Sequence, residues 1–111
     1  PQPGETFLDL GSGTGRAVLA ASLGFPSLRC CRGYELLEDL HGAALQATSA
    51  AAQMADGRSA AVDLRLQSFL GPEAAWEQEE VDIVWVASLC LRPETLAEIR
   101  ERASRLRPGA R

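Results

Sequence analysis

The chain has 111 residues, room for one domain around one hydrophobic core. Its 46% apolar and 23% charged residues suit a packed globular domain and exclude disordered and collagen-like chains. A net charge of -4 excludes the basic stripe that a phosphate backbone demands, so this segment is expected to make no direct nucleic-acid contact.

Thr6 to Leu10 is a short apolar run carrying Asp9. Gly11 to Gly15 then breaks regular structure before a helical stretch from Arg16 to about Leu23, which reads as strand, glycine loop, helix. After the turn at Gly24-Phe25-Pro26, Arg29 to Glu35 is predicted as a second strand. Leu36 to Met54, rich in alanine and leucine, is predicted as a longer helix. Asp56-Gly57-Arg58 marks a loop, and Val62 to Phe69 alternates Val62, Leu64 and Leu66 against Asp63, Arg65 and Gln67, the period of a third strand. The short acidic segment Glu73 to Glu80 reads as a helical turn. Val81 to Ala87 is a near-continuous apolar run that suits a buried parallel strand. Pro93 fits a first helical turn, and Leu96, Ile99, Ala103 and Leu106 recur on one face until Arg107-Pro108-Gly109.

Strands alternating with helices four times over predict an α/β fold, a Rossmann-like doubly wound sheet that is mainly parallel with right-handed crossovers. Residues 1–111 form one domain, expected to be partial. Where the chain stops, after Pro108-Gly109, such a sheet sends in another strand, so the natural protein is expected to begin before Pro1 and continue past Arg111.

Cys30, Cys31 and Cys90 have no zinc-ligand spacing with histidines and are expected to be buried free thiols; no metal site is expected. No apolar run approaches the roughly 20 residues of a membrane span, and no signal-peptide layout opens the chain, so an intracellular protein of cytoplasm or nucleus is expected, without membrane contact. All the basic residues are arginine, which points to no mechanism.

The strongest signal is Phe7-Leu8-Asp9-Leu10-Gly11-Ser12-Gly13-Thr14-Gly15, an acid at a strand end followed by G-x-G-x-G. Dinucleotide enzymes place the third glycine one position later, where this chain has Arg16, and a Walker loop needs lysine after its last glycine. The dinucleotide reading weakens accordingly, and a nucleotide triphosphatase is excluded. An adenosyl ligand without a pyrophosphate, carrying a sulfonium and an amino group, explains why Asp9 stands beside the loop. Glu35, 20 residues beyond Gly15 at the end of the second strand, is placed to accept bonds from both ribose hydroxyls. The bland alternative, a tight corner beside a solvated acid, leaves that spacing unexplained.

Ser68 and Phe69 end the third strand, where Phe69 can pack on an adenine face and Ser68 can offer a hydroxyl; Phe69 serves equally well as a core residue. Ser88, after the fourth strand, is the polar candidate beside the methyl-transfer site, because ligands sit outside the carboxyl ends of the strands. A plain strand-end serine fits there too. His41, Cys90 and Asp82 carry no catalytic expectation, since no base or acid partner accompanies them. Trp76 and Trp85 read as packing anchors rather than base-stacking platforms.

DLGSGTG, GYELLEDLHGAAL and DIVWVASLCLRPETLAEIRERASRLRPG together resemble the disruptor-of-telomeric-silencing family, the non-SET histone lysine methyltransferases, over almost the whole chain. The resemblance implies a class I methyltransferase fold with S-adenosylmethionine as cofactor and a protein substrate, histone or nucleosome. By resemblance Asp9, Gly11, Gly13 and Gly15 line the methionine and ribose side, Glu35 holds the ribose and Phe69 flanks adenine; Ser12 and Thr14 of the loop and Ser68 beside Phe69 are counted with them as cofactor-binding candidates. Two positions depart from the family pattern: Ser68 stands where an acid is usual, and Ser88 where asparagine is common. Methyl transfer to another protein or a small molecule, and a non-catalytic cofactor-binding scaffold, are the competing expectations.

Overall fold

A computed structural model describes residues 1–87 and 91–111. Four strands form one sheet in the order β3-β2-β1-β4, every neighbouring pair parallel. They are β1 (Thr6–Leu10), β2 (Cys30–Glu35), β3 (Ala61–Leu66) and β4 (Ile83–Val86), interleaved with α1 (Arg16–Gly24), α2 (Glu38–Ala55) and α3 (Pro93–Ala103). The doubly wound parallel reading is borne out. Arg111 donates its N–H to the Asp82 carbonyl and accepts from the Val84 N–H, both at 2.8 Å, so the chain after α3 returns alongside β4.

The alternation of β1 sorts the core into two layers. Leu8 and Leu10 point to a cluster with Tyr34, Trp76, Val81 and Ile99 of α3. Phe7 points the other way, to Val18 and Ala21 of α1 and to Cys31. Asp9 shares the Phe7 face.

Element ends shift in informative ways. Helix α2 begins at Glu38, not Leu36, because the Glu35 carboxylate accepts the Leu37 N–H at 2.9 Å and holds a turn first. Strand β3 ends at Leu66, so Gln67, Ser68 and Phe69 are not strand. The acidic segment holds a 3-10 turn at Trp76–Gln78. Three of its acids are paired: Glu77 with Arg102, Glu79 with Arg32 and Arg65, and Glu80, at the exposed surface, with Arg29. Strand β4 spans only Ile83–Val86, and Trp85 is 53% exposed. Helix α1 packs on β1, β2 and β3 and leaves Trp85 uncovered, so Trp85 is not the packing anchor expected, whereas Trp76 is fully buried. Cys31 is buried and Cys30 half-buried, both free, and burial pushes the Cys31 thiol up to about 12. Ser88 and Cys90 lie outside the described residues.

Candidate functional site

The site forms where β1 gives way to α1, at the carboxyl ends of the strands. The Gly11 and Ser12 N–H groups both donate to the Tyr34 carbonyl of β2, at 2.9 and 2.8 Å, which folds the loop back over the neighbouring strand. Ser12 lands on Gly33, where an added Cβ would stand 2.7 Å from the Ser12 Cβ; only glycine lets the loop lie this close. Gly15 caps α1 at φ +85°, and a Cβ there would stand 3.0 Å from the Ala44 Cβ of α2. Gly33 was not singled out in the sequence, since its role appears only once Ser12 is seen above it.

Glu35 meets this loop from β2. One carboxylate oxygen accepts the Gly13 N–H at 2.8 Å and the other accepts Leu37 N–H at 2.9 Å. A carboxylate has about four lone-pair positions, so each oxygen keeps capacity for one more donor. Asp9 sits in register with Gly33 on one side and Trp85 on the other. It is 3% exposed, and its Oδ1 has no hydrogen-bond partner among the described residues. Burial first, then the negative charge of Glu35, raises its pKa from 3.8 to about 6. A buried carboxylate oxygen without a donor is costly, and a cation or N–H donor brought beside it would relieve that cost.

The third wall is the segment after β3. Phe69 packs against the Trp76 layer, and its ring reaches the loop: a Cβ on Gly11 would sit 3.8 Å from the Phe69 Cε1. The Ser68 hydroxyl accepts the Leu70 N–H at 3.2 Å and keeps its own proton for donation. Together Gly11, Glu35, Leu36, Ser68, Phe69 and Thr95 line a cleft of about 240 Å³. Of the residues expected at the site, Gly11, Glu35, Ser68 and Phe69 thus share one cleft. Ser12, Gly13 and Gly15 build the loop beside it, Asp9 lies beneath, and Thr14 is exposed at the tip. A larger groove of about 360 Å³ between α1, α2 and β3 lies away from these residues and is lined mainly by alanines, leucines and serines. His41 stands in the first turn of α2. Asp82 is structural: it accepts the Thr6 N–H at 2.8 Å and pairs with Arg107. No cluster of His, Cys, Asp and Glu among the described residues could hold a metal ion, and no helix among them is long and apolar enough to cross a membrane.

Residues 2–111 match the family model described as histone methylation protein DOT1. No curated protein matches the chain. An RNA methyltransferase from Salinibacter ruber, solved with S-adenosyl-L-homocysteine, is similar in structure at 25% identity and a TM-score of 0.71, covering 94% of this chain and 60% of its own. A SAM-dependent methyltransferase from Thiobacillus denitrificans, also solved with S-adenosyl-L-homocysteine, is 21% identical with a TM-score of 0.64, covering 98% and 40%. An rRNA methyltransferase from Streptomyces viridochromogenes is 15% identical with a TM-score of 0.68, covering 99% and 65%. The chain therefore spans less than two thirds of each of these proteins.

Proposed function

We propose, for a chain that belongs to the histone methylation protein DOT1 family, that the cleft binds S-adenosylmethionine and serves methyl transfer to a protein lysine, with histones or the nucleosome as acceptor. The observation that carries the cofactor reading is one arrangement: a carboxylate with spare acceptor capacity, an orphaned buried carboxylate oxygen and an aromatic ring, brought to one glycine loop from three different strands or strand ends.

The residues present fit the cofactor. Glu35 would take the ribose hydroxyls on its two free acceptor positions. Asp9, whose Oδ1 lacks a donor, would favour the amino group and sulfonium side. Phe69 would flank adenine with Ser68 beside it. The first-turn amides of α1, which have no side-chain cap, favour a carboxylate. When bound, the cofactor supplies a methyl group already activated for displacement. The protein's part is then to orient the acceptor nitrogen in line and exclude water, for which no strong base is required. Ser88, two residues beyond β4 in sequence, is assigned to the acceptor side.

A second reading is favoured by the net charge of -4 and by Ser68 in place of the family's acid: methyl transfer to another protein or a small molecule. The structural relatives described as RNA methyltransferases make RNA a third acceptor to assay, although the acidic balance disfavours it. The test is calorimetric titration of S-adenosylhomocysteine, then transfer of labelled methyl to nucleosomes, free histones and RNA. Saturable binding with label on histone lysine supports the proposal. A folded protein that binds no S-adenosylhomocysteine refutes the cofactor reading, and label on RNA alone refutes the acceptor.

A further inference from the structure

The cleft wall formed by Phe69 is held from behind by a group outside the glycine loop and outside the strands. The Phe69 carbonyl accepts two donors: Trp76 Nε1 at 3.0 Å and Arg102 Nη1 at 2.6 Å. With both carbonyl lone pairs occupied, the peptide plane after Phe69 is fixed, and with it the direction in which the ring leaves the backbone. Arg102 is itself immobilised. Its Nε and Nη2 form a two-bond fork on the Glu77 carboxylate at 3.1 and 2.7 Å, and its guanidinium lies 5.0 Å from the Trp76 ring centroid. Both side chains of the pair are 8% exposed. The hydrogen bond from Arg102, foremost, holds the Glu77 carboxyl below its ordinary range, so Glu77 stays ionised at neutral pH.

A buried ion pair is a poor source of net stability, because the cost of desolvating two charges offsets their attraction; it is better suited to specifying one arrangement. The arrangement specified here is the Phe69 segment. Arg102 belongs to α3, on the same helical face as Ile99 of the core and Thr95 of the cleft wall.

We propose that Arg102 is a positioning residue for the cofactor's adenine side: anchored by Glu77 and stacked near Trp76, it fixes the Phe69 carbonyl and so sets the width of the cleft between Phe69 and Gly11. The proposal rests on the cofactor reading above. It ties α3, whose first turn contributes Thr95 to the cleft, to the aromatic wall that follows β3. Lysine cannot replace this function, since it lacks the planar fork that engages Glu77 and the carbonyl at the same time.

The test titrates S-adenosylhomocysteine and 5′-methylthioadenosine, which keeps adenine and ribose without the amino acid, into wild type, Arg102→Lys, Phe69→Ala and the double variant. Circular dichroism and urea unfolding establish that each is folded. Arg102→Lys is expected to weaken both ligands by the same factor, on the order of tenfold for a lost charge-assisted hydrogen bond. In the Phe69→Ala background the same change is expected to cost almost nothing. Equal affinity of wild type and folded Arg102→Lys overturns the inference, as does full additivity with Phe69→Ala, the signature of a merely structural role. Should Arg102→Lys fail to fold, Glu77→Gln, which leaves Arg102 in place but loosens its fork, takes its place in the same cycle with a smaller expected loss. Wild type that binds neither ligand overturns the cofactor reading, whereas wild type that binds alongside an indifferent variant overturns the positioning role alone.

Discussion

Asp9→Asn tests the electrostatics of the site without changing its shape. The pKa of Asp9, raised from 3.8 to about 6, means that the folded protein holds this proton more tightly than the unfolded chain. The group's contribution to stability is therefore fully present below the unfolded pKa and is lost as pH rises through about 6. At pH 7.5 the ionised carboxylate costs the fold about 3 kcal/mol, at ~1.4 kcal/mol per pKa unit. Asparagine keeps the size and removes the charge, but its amide still lacks partners, so the expected gain at neutral pH is about 1–3 kcal/mol. Urea unfolding followed by circular dichroism between pH 4 and 8 measures it. Carboxylates held low, Asp82 and Asp63 among them, weaken both proteins alike on acidification and cancel in the difference. The gain must shrink towards zero at acid pH; a variant no more stable than wild type at pH 7.5, or equally favoured at every pH, refutes the reasoning. The same variant is expected to bind S-adenosylhomocysteine at least tenfold more weakly, because the ligand's amino group would face a neutral amide.

Three further outcomes are expected. Wild-type affinity for S-adenosylhomocysteine should fall about tenfold per pH unit below about 6, as Asp9 takes up a proton, and level off above it; a flat calorimetric profile from pH 5 to 8 removes Asp9 from the binding site. Glu35→Gln leaves acceptors for Gly13 and Leu37 on one side-chain oxygen only. It should lower affinity ten- to a hundredfold and unfolding stability by about 1–2 kcal/mol, and unchanged affinity would show that Glu35 only supports the loop. Gly33→Ala drives a methyl to 2.7 Å from the Ser12 Cβ and should cost about 1–3 kcal/mol in urea unfolding together with ligand binding; a neutral effect would mean that the loop moves aside freely.

The strand and helix rhythm was legible because each period had one physical cause. Leu8 and Leu10 alternate with Phe7 and Asp9 across a sheet covered on both faces, and Ile99, Ala103 and Leu106 recur along α3. Less legible was the alternation in β3. Asp63 and Arg65 looked like a solvent face, yet they join Arg32, Glu79 and the Tyr34 hydroxyl beneath the segment that follows. Trp85 misled in the opposite direction: a tryptophan in an apolar run looks buried, but its cover depends on which strands α1 reaches. Arg102 left no signal at all. An arginine in a helix rich in Glu and Arg reads as solvated, and only the placement of Glu77 and the Phe69 carbonyl by distant segments makes it interior.

The glycine loop and Glu35 were legible for a different reason: backbone turns and an acid at a strand end leave signatures within a few residues, while the groups that hold the Phe69 segment in place are drawn from far along the chain. Phe69 shows the consequence. A ligand face and the core were alternative places for it in the sequence; in the structure the ring packs on the Trp76 layer and meets Gly11 at the cleft at the same time, so a core position does not exclude the proposed ligand contact. A wall of the cleft is then also a wall of the core. Substitutions in the Trp76 layer should reach ligand affinity without touching the ligand, whereas Asp9, whose Oδ1 is buried without a partner, stands on the Phe7 face of the sheet and should respond to them little.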